Sequence, residues 1–388
     1  MPSSSTVELL IAAFRPDTDP ALWQAQLQSA DTDNLAVSAL VLGLAPLLAW
    51  RLSGWGITLP PRAAAKLQAA RQASAQRHQA IEAQLADVLA ACAREQIALI
   101  VLKGAYLATH FYPAAGTRPM NDIDVLVRHE QLPALEALLK RLGYGAHYKA
   151  PDSGARVVKH TSTFRKPNLD AATPNPYLSA GSTRTVEPHT SLEESWFGLR
   201  ADITPGVWER SVPAGIGAHD ARALCPSDLL LHLCVHLTFH LVMGYPSLVQ
   251  LLDLLWVSRT LSEDDWHATV ERSMAQQVSG FIYAALRLAR LSLHAPISDD
   301  ALCALGRATP ARVRAHAETL SLEDVLRRTQ RPPLTTLAQR IRRGLVERAE
   351  CDRWAATPAQ RAAIWGTLVD MRRTDTGQLI GARLREVF

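Results

Sequence analysis

The sequence lacks the cysteine pattern of a cross-linked or zinc-bound protein. Its five cysteines are scattered along 388 residues, and none belongs to a Cys-x-x-Cys pair. This spacing argues against a disulfide scaffold and against a structural zinc site, because both need cysteines at characteristic separations. Unpaired cysteines are typical of a reducing compartment, so we expect a cytoplasmic protein.

Long apolar runs and a secretory leader are also missing. Residues 1–6 carry no basic segment ahead of an apolar stretch. The uncharged run at residues 35–50 is interrupted by Pro46 and stops short of the ~20 residues that a membrane span needs. We therefore interpret this run as a pair of buried helices and expect no membrane partner.

Excess charge of either sign is small. The net charge is +4, and 48% hydrophobic with 20% charged residues is typical of a soluble globular protein. The length allows two or three domains. One stretch near the C-terminal end is rich in arginine: Arg327, Arg328, Arg331, Arg340, Arg342, Arg343 and Arg348. We interpret these arginines as solvated helix faces, with a patch for RNA, phosphate or an acidic partner as the alternative.

Three common catalytic signatures are absent from the sequence. It contains no G-x-S-x-G, no H-E-x-x-H and no complete P-loop. The nucleophile elbow of a serine hydrolase, the helix of a zinc protease and the phosphate loop of a P-loop NTPase are therefore not indicated.

What the sequence does contain is a short α/β pattern between helical segments. Residues 62–95 have no proline or glycine and predict a long helix. Apolar runs and turn residues then predict a strand at 98–102, a helix at 104–111, a strand at 123–127 and a helix at 131–141. Gly143 is a suitable residue to end this last helix.

A different pattern begins after residue 145. Short strands are predicted at 156–160 and 183–189, and the Pro- and Ser-rich segment 167–182 between them is a surface loop, either a lid or an ordinary hairpin insertion. From Trp196 onward we predict helices to the end of the chain. Ser227 is the expected cap of the helix that starts at Pro226.

The whole layout predicts an α+β fold. A small mixed-sheet core at residues 79–200 would be flanked by an N-terminal helical segment at 1–78 and a C-terminal helical domain at 201–388.

The predicted second strand carries an Asp-x-Asp pattern. Alternate side chains of a strand share a face, so Asp122 and Asp124 point the same way, about 7 Å apart, while Ile123 and Val125 face the core. Two such carboxylates can hold hard divalent cations, which in turn bind a nucleoside triphosphate. The simpler interpretation is an ion pair with Arg118 at a strand edge.

A Lys-Gly pair lies where the first predicted strand passes into a helix. Gly104 would let backbone amides approach a phosphate, and the helix N-terminus and Lys103 would add positive charge. Arg118, four residues before Asp122, is a further candidate for contact with a triphosphate.

These stretches resemble one protein family. The segments Leu102-Lys103-Gly104, Tyr112-Pro113 and Arg118 to Val127 look like the uncharacterised bacterial nucleotidyltransferase family of the DNA polymerase beta-like superfamily. The resemblance continues at Val186-Glu187-Pro188-His189 and in the segment from Pro226 to His236, and it covers roughly residues 80–260.

The resemblance implies a metal-dependent enzyme whose third carboxylate lies on a later strand. It makes Asp122, Asp124 and Glu187 the catalytic, metal-binding residues, with Mg²⁺ or Mn²⁺ as the cofactor. Glu187 can also activate the attacking hydroxyl. Lys103, Gly104, Arg118 and His189 are the nucleotide-binding candidates. His189 would share the face of Glu187 and either position it or bind phosphate.

The predicted reaction is transfer of a nucleoside monophosphate from an NTP, with ATP favoured, to a hydroxyl, with release of pyrophosphate. The acceptor is a small molecule or a peptide or protein; an RNA end is less favoured because the net charge is weak. One departure from the superfamily is the turn Lys103-Gly104-Ala105, which lacks the serine that many members use on phosphate. Lys103 is our candidate replacement. The missing hydroxyl also favours the alternative, a weakly active or inactive nucleotide-binding regulatory module of the antitoxin type.

Three histidines recur every fourth residue within the segment 229–243. His232, His236 and His240 form one stripe on a predicted helix, beside a stripe of leucines. We interpret them as packed or hydrogen-bonded residues, with a cleft lining or the metal site of a hydrolase as alternatives. Asp253, inside an apolar run, is expected to pair with one of these histidines.

Overall fold

A computed structural model describes residues 4–147, 163–166, 185–216, 219–329 and 336–368. The predicted strand at 156–160 and the loop at 167–182 lie outside the described residues.

Five helices precede the first strand. They are α1 (Ser4–Ala12), α2 (Pro20–Leu27), α3 (Thr32–Val41), α4 (Ala45–Trp55) and α5 (Pro61–Arg94). The long predicted helix is therefore confirmed within one residue at each end. The apolar run at 35–50 divides between α3 and α4, with Pro46 in the first turn of α4, where a missing N–H costs nothing. The prediction of a buried helix pair is confirmed.

The strands form one large mixed sheet and one separate hairpin. They are β1 (Leu99–Val101), β2 (Asp122–Val127), β3 (Gly145–His147), β4 (Thr163–Arg165), β5 (Thr185–His189), β6 (Glu193–Trp196), β7 (Leu199–Asp202), β8 (Val212–Ile216) and β9 (His219–Ala223). The large sheet has the order β3-β4-β5-β2-β1-β9-β8, and among the described strands β6 pairs only with β7. Strand β2 is antiparallel to β1 and parallel to β5. Helix α6 (Lys103–His110) connects β1 to β2, and α7 (Leu132–Arg141) connects β2 to β3.

The prediction that the chain is helical from Trp196 onward is wrong. Strand β7 and the hairpin β8–β9 follow this residue, and β9 joins the large sheet beside β1. Strands β8 and β9 contain Ala, Gly, Pro and Asp, which have low strand propensity, so the pairing of β9 with the buried β1 decides their conformation. The sheet thus continues past residue 200. The two boundaries between the three domains stay predictions.

Helices make up most of the rest of the chain. After the short α8 (Val207–Arg210) they are α9 (Pro226–Met243), α10 (Leu248–Ser258), α11 (Glu263–Ala275), α12 (Ser279–Leu293), α13 (Asp299–Ala308), α14 (Ala311–Thr319), α15 (Leu322–Thr329), α16 (Leu337–Trp354) and α17 (Pro358–Gly366). The start of α9 at Pro226 is confirmed, but Ser227 as its cap is wrong. The N-cap position is Cys225, and the Ser227 hydroxyl instead accepts a hydrogen bond from Arg272.

One helix, α9, is long and apolar enough to cross a membrane by length and composition. However, 78% of it is buried inside the protein. This is the ordinary environment of a core helix, so α9 gives only weak evidence for a membrane span.

The two faces of β2 pack into different parts of the interior. Ile123, Val125 and Val127 belong to the core beneath the sheet, together with residues of α5 and α7. Leu126 belongs to the other core, which contains α9 and the surrounding helices. Because side chains alternate along a strand, Asp122 and Asp124 lie on the face that carries Leu126. The carboxylates therefore face the C-terminal helices.

Candidate metal and nucleotide site

The carboxylates come together because β2 and β5 are adjacent and parallel. Asp124 lies directly opposite Glu187, Asp122 opposite Thr185, and Leu126 opposite His189. Neighbouring strands are about 4.8 Å apart, and alternate residues share a face. One face of this strand pair thus carries Asp122 and Asp124 on one strand and Glu187 and His189 on the other.

Asp124, Glu187 and His189 form a compact group. One ligand atom from each residue lies within 4.8 Å of the others. His189 Nε2 is 2.9 Å from Asp124 Oδ1, and both residues are buried. Glu187 is partly exposed and accepts a hydrogen bond from the Thr163 hydroxyl at 3.3 Å. The expected common face of Glu187 and His189 is confirmed, and the imidazole of His189 holds Asp124.

The two aspartates have opposite electrostatic environments. Burial, together with repulsion from Asp124, raises the pKa of Asp122 to about 6. For Asp124 burial acts in the same direction, but the charge of Lys103 and the hydrogen bond from His189 outweigh it and lower the pKa of that carboxyl. Asp124 is therefore the firmly ionised member of the pair. Divergent pKa values within one cluster are a common property of functional sites.

Lys103 places a positive charge beside these acids. It is the first residue of α6, and its Nζ lies 3.4 Å from Asp124 Oδ2 and 3.5 Å from His236 Nε2. Burial lowers the pKa of Lys103, but the nearby carboxylates of Asp124, Asp122, Glu194 and Glu187 together raise it. The side chain is therefore a stable ammonium in the ligand-free protein.

Gly104 is the second residue of α6, which begins just after strand β1 ends. A Cβ atom built on it would lie 3.4 Å from Arg118 Nη1 and 3.9 Å from the Asp122 carbonyl oxygen. The backbone of the turn is thus close to both β2 and the guanidinium. The role of this turn in binding phosphate stays a prediction.

Arg118 makes a buried bidentate ion pair with Asp253 of α10. Its Nε and Nη2 each donate to one Asp253 oxygen at 2.7 Å, and the Tyr112 hydroxyl donates to the same carboxylate at 2.8 Å. The expected pairing of Asp253 with a histidine is therefore wrong. A guanidinium offers a planar fork that matches a carboxylate, which explains why Arg118 takes this place. A nucleotide contact of Arg118 stays a prediction, for which Nη1 beside Gly104 is the available group.

A family model named "Uncharacterised nucleotidyltransferase" matches residues 28–294, which is more than half of the chain. The chain belongs to this nucleotidyltransferase family. The predicted family and the prediction of a nucleotidyltransferase enzyme are thus confirmed. No functionally curated protein matches the sequence.

One solved structure in the comparison is that of the antibiotic-resistance factor ANT(2'')-Ia, determined in solution. The similarity covers 54% of this chain and 95% of that chain, at 14% sequence identity and a TM-score of 0.34.

The ligand set of the nucleotidyltransferase fits a hard divalent cation. Asp124 Oδ2 is buried and accepts no hydrogen bond from the described part of the chain. Carboxylate oxygens suit Mg²⁺ and Mn²⁺, and a hydrogen bond from an imidazole is a common way to orient a carboxylate ligand. Asp124 and Glu187 are therefore suitable first ligands. Asp122 lies outside the compact group of three, on the same strand face.

The three histidines of α9 are engaged with other side chains. His236 Nδ1 lies 3.1 Å from Glu194 Oε1, His240 Nδ1 lies 3.0 Å from Gln250 Nε2, and His232 is buried. Within the described ranges, the stripe forms no metal-binding group of its own. The interpretation as packed or hydrogen-bonded histidines is confirmed. His236 also lies at the cleft, because it touches Lys103.

The sequence did not indicate Glu194, Gln250 or Thr163 as neighbours of these functional candidates. Glu194 lies on β6, in the second sheet. No local sequence pattern predicts that this sheet packs against α9. In the sequence, the adjacent residues Glu193 and Glu194 look like an exposed strand end. In the structure, both are buried. Only the pairing of distant elements identifies them.

Proposed function

We propose that this nucleotidyltransferase transfers a nucleoside monophosphate from an NTP, with ATP favoured, to a hydroxyl group and releases pyrophosphate. The observation that carries the proposal is the register of β2 and β5, which sets Asp124 opposite Glu187 beside the Lys103-Gly104 turn. In a chain of this family, that combination joins a site for a divalent cation to a site for phosphate.

Asp122, Asp124 and Glu187 are the residues we assign to Mg²⁺ or Mn²⁺. The bound cation supplies charge neutralisation on the triphosphate and lowers the pKa of the acceptor hydroxyl. His189 holds Asp124 in its ligand orientation through the 2.9 Å contact at Oδ1. For Mg²⁺, which prefers oxygen ligands, this makes His189 a supporting residue; it can become a ligand for Mn²⁺.

The chain's own groups account for positioning and proton transfer. The acceptor oxygen attacks the α-phosphorus, the bond from the α-phosphorus to the bridging oxygen breaks, and pyrophosphate leaves. Glu187 is partly exposed and is assigned to accept the hydroxyl proton. We assign Lys103 and the backbone amides near Gly104 to binding of the phosphates. Arg118 Nη1 is assigned to contact the same phosphates from one side. Catalysis then rests on orientation and electrostatics.

We infer a small molecule or a peptide or protein as the acceptor rather than RNA. Several arginines of the basic stretch have intramolecular partners: Arg327 pairs with Glu323 and Arg343 with Glu347. This supports their interpretation as helix faces and leaves little excess charge for nucleic acid. We also propose a cytoplasmic enzyme, on the basis of its unpaired cysteines.

The test uses ATP labelled on either the α- or the γ-phosphate, with Mg²⁺ or Mn²⁺ and fractionated cell extract as the source of acceptor. The proposal requires metal-dependent pyrophosphate release and α-label on an acceptor, with no γ-label. Asp124→Asn and Glu187→Gln should lower the rate by about 100-fold or more. Glu130→Gln, an exposed acid beyond the other end of β2, is the matched control. ATP binding without pyrophosphate release in any fraction would instead favour the regulatory module.

A further inference from the structure

The Lys103 ammonium lies in a chain of contacts that leads away from the carboxylates. Its Nζ is 3.5 Å from His236 Nε2, and His236 Nδ1 is 3.1 Å from Glu194 Oε1. All three residues are largely enclosed, with 17% of the side chain exposed for Lys103, 14% for His236 and 6% for Glu194. Three separate elements, α6, α9 and β6, therefore meet at one short polar chain.

The chemistry of the end groups fixes the direction of the hydrogen bonds. An ammonium can only donate, and an ionised carboxylate can only accept. A neutral imidazole between them satisfies both when Nδ1 carries the proton and Nε2 is the acceptor. The geometry thus assigns His236 Nδ1–H to Glu194 and the His236 Nε2 lone pair to Lys103. Glu194 determines the tautomer that lets His236 accept from Lys103.

We propose that His236 and Glu194 are positioning residues that hold Lys103 in place for the triphosphate. This inference rests on the proposed function of the site. Lys103 has a long flexible side chain, and its other polar contact, Asp124 Oδ2, is the atom we assign to the metal. When a cation binds that carboxylate, it repels the ammonium. His236 then offers a neutral acceptor that keeps Lys103 beside the Gly104 turn.

Free protein gives the first test, which needs no nucleotide. In protein labelled with nitrogen-15 at histidine, two-bond proton–nitrogen spectra report the tautomer of His236, assigned by its loss in His236→Phe. We expect the Nδ1–H form in the wild type and a change of its signals in Lys103→Gln. An Nε2–H tautomer would overturn the proposal, because that nitrogen could not accept from an ammonium.

Binding of an ATP analogue with a carbon bridge between the α- and β-phosphates gives the second test. With Mg²⁺, calorimetry should show about tenfold weaker binding for His236→Phe and Glu194→Ala. Glu194→Gln, which keeps an acceptor for Nδ1–H, should recover part of the loss. His316→Phe is the matched control, because it breaks a similarly enclosed pair on α14, in which His316 Nε2 lies 3.2 Å from Glu350 Oε1.

A double-mutant comparison separates positioning from a general structural role. In a Lys103→Gln background, His236→Phe should cost no further affinity, since it acts only through Lys103. Equal losses with and without Lys103, or an equal loss in His316→Phe, would overturn the inference. If the wild type does not bind the analogue at all, the proposed function fails, and the tautomer measurement alone then decides whether His236 accepts from Lys103.

Discussion

The Lys103 ammonium lies 3.4 Å from Asp124 Oδ2, on the side of the carboxylate that we assign to a metal ion. The ligand-free enzyme therefore already has a cation at the most buried carboxylate of the candidate site. This contact compensates the charge of Asp124, which would otherwise be costly to bury. It also means that a metal ion and Lys103 compete for the same oxygen until phosphate provides Lys103 with a new partner.

The first prediction follows from this competition. Lys103→Gln should tighten the binding of Mn²⁺ alone by about tenfold, because a nearby positive charge is removed. The same variant should weaken binding of the ATP analogue in the presence of Mg²⁺. Manganese titration followed by electron paramagnetic resonance and calorimetry give the two values. Lys66→Gln, which breaks a surface pair with Asp33, is the control and should change neither. Weaker Mn²⁺ binding in Lys103→Gln would contradict this account.

The second prediction concerns the backbone of the glycine turn. Gly104→Ala should leave the melting temperature unchanged or slightly higher, because the added Cβ meets Arg118 Nη1 only at 3.4 Å and alanine favours helices. Affinity for the ATP analogue should nevertheless fall by about tenfold, since the methyl group obstructs a phosphate at the helix N-terminus. Gly54→Ala on α4, where a Cβ meets nothing within 4 Å, is the matched control. Unchanged affinity in Gly104→Ala would remove the turn from the phosphate site.

The third prediction concerns the buried pair of Arg118 and Asp253. Asp253→Asn should lower the free energy of unfolding by about 3–5 kcal/mol, because it leaves the guanidinium buried without its counter-ion. The double variant Arg118→Met/Asp253→Leu should be less destabilised than Asp253→Asn alone. Urea unfolding gives the free energy of unfolding of the wild type, of Asp253→Asn and of the double variant. Asp33→Asn, at an exposed pair, should have little effect. A stability of Asp253→Asn equal to the wild type would show that the pair is dispensable for the packing of α10.

The fourth prediction is a pH dependence in the C-terminal helices. Burial would raise the pKa of Asp352, but hydrogen bonds from Arg361, Arg312 and Trp365 outweigh it and lower the pKa below its ordinary value of 3.8. The carboxylate therefore stabilises the folded state above about pH 4, and this contribution is lost as the pH falls.

Asp352→Asn tests this dependence by thermal unfolding between pH 3 and pH 7. The variant should melt about 2–4 °C below the wild type at pH 7, and the difference should shrink below about pH 4. A difference that stays constant over the whole range would mean that the charge of Asp352 contributes nothing to packing of α14, α16 and α17.

Local sequence signals were sufficient for the elements around the site. The strand–turn–helix from Leu99 to His110, the strand of Asp122 and Asp124, and the long helix α5 follow from apolar periodicity and from the positions of glycine and proline. These signals depend only on nearest neighbours along the chain. For that reason they predicted the face shared by the two aspartates but not the surroundings of that face.

The sequence by itself determined which residues are the candidates for the chemistry: an Asp-x-Asp strand, a Lys-Gly turn and a later Glu-x-His strand. Only the tertiary structure decided how they are paired. The parallel register sets Asp124 opposite Glu187, β8 and β9 extend the sheet where the sequence predicts helix, and Asp253 pairs with Arg118 instead of a histidine. Such choices depend on long-range packing and on burial of charges in pairs, and neither is encoded in the spacing of neighbouring residues.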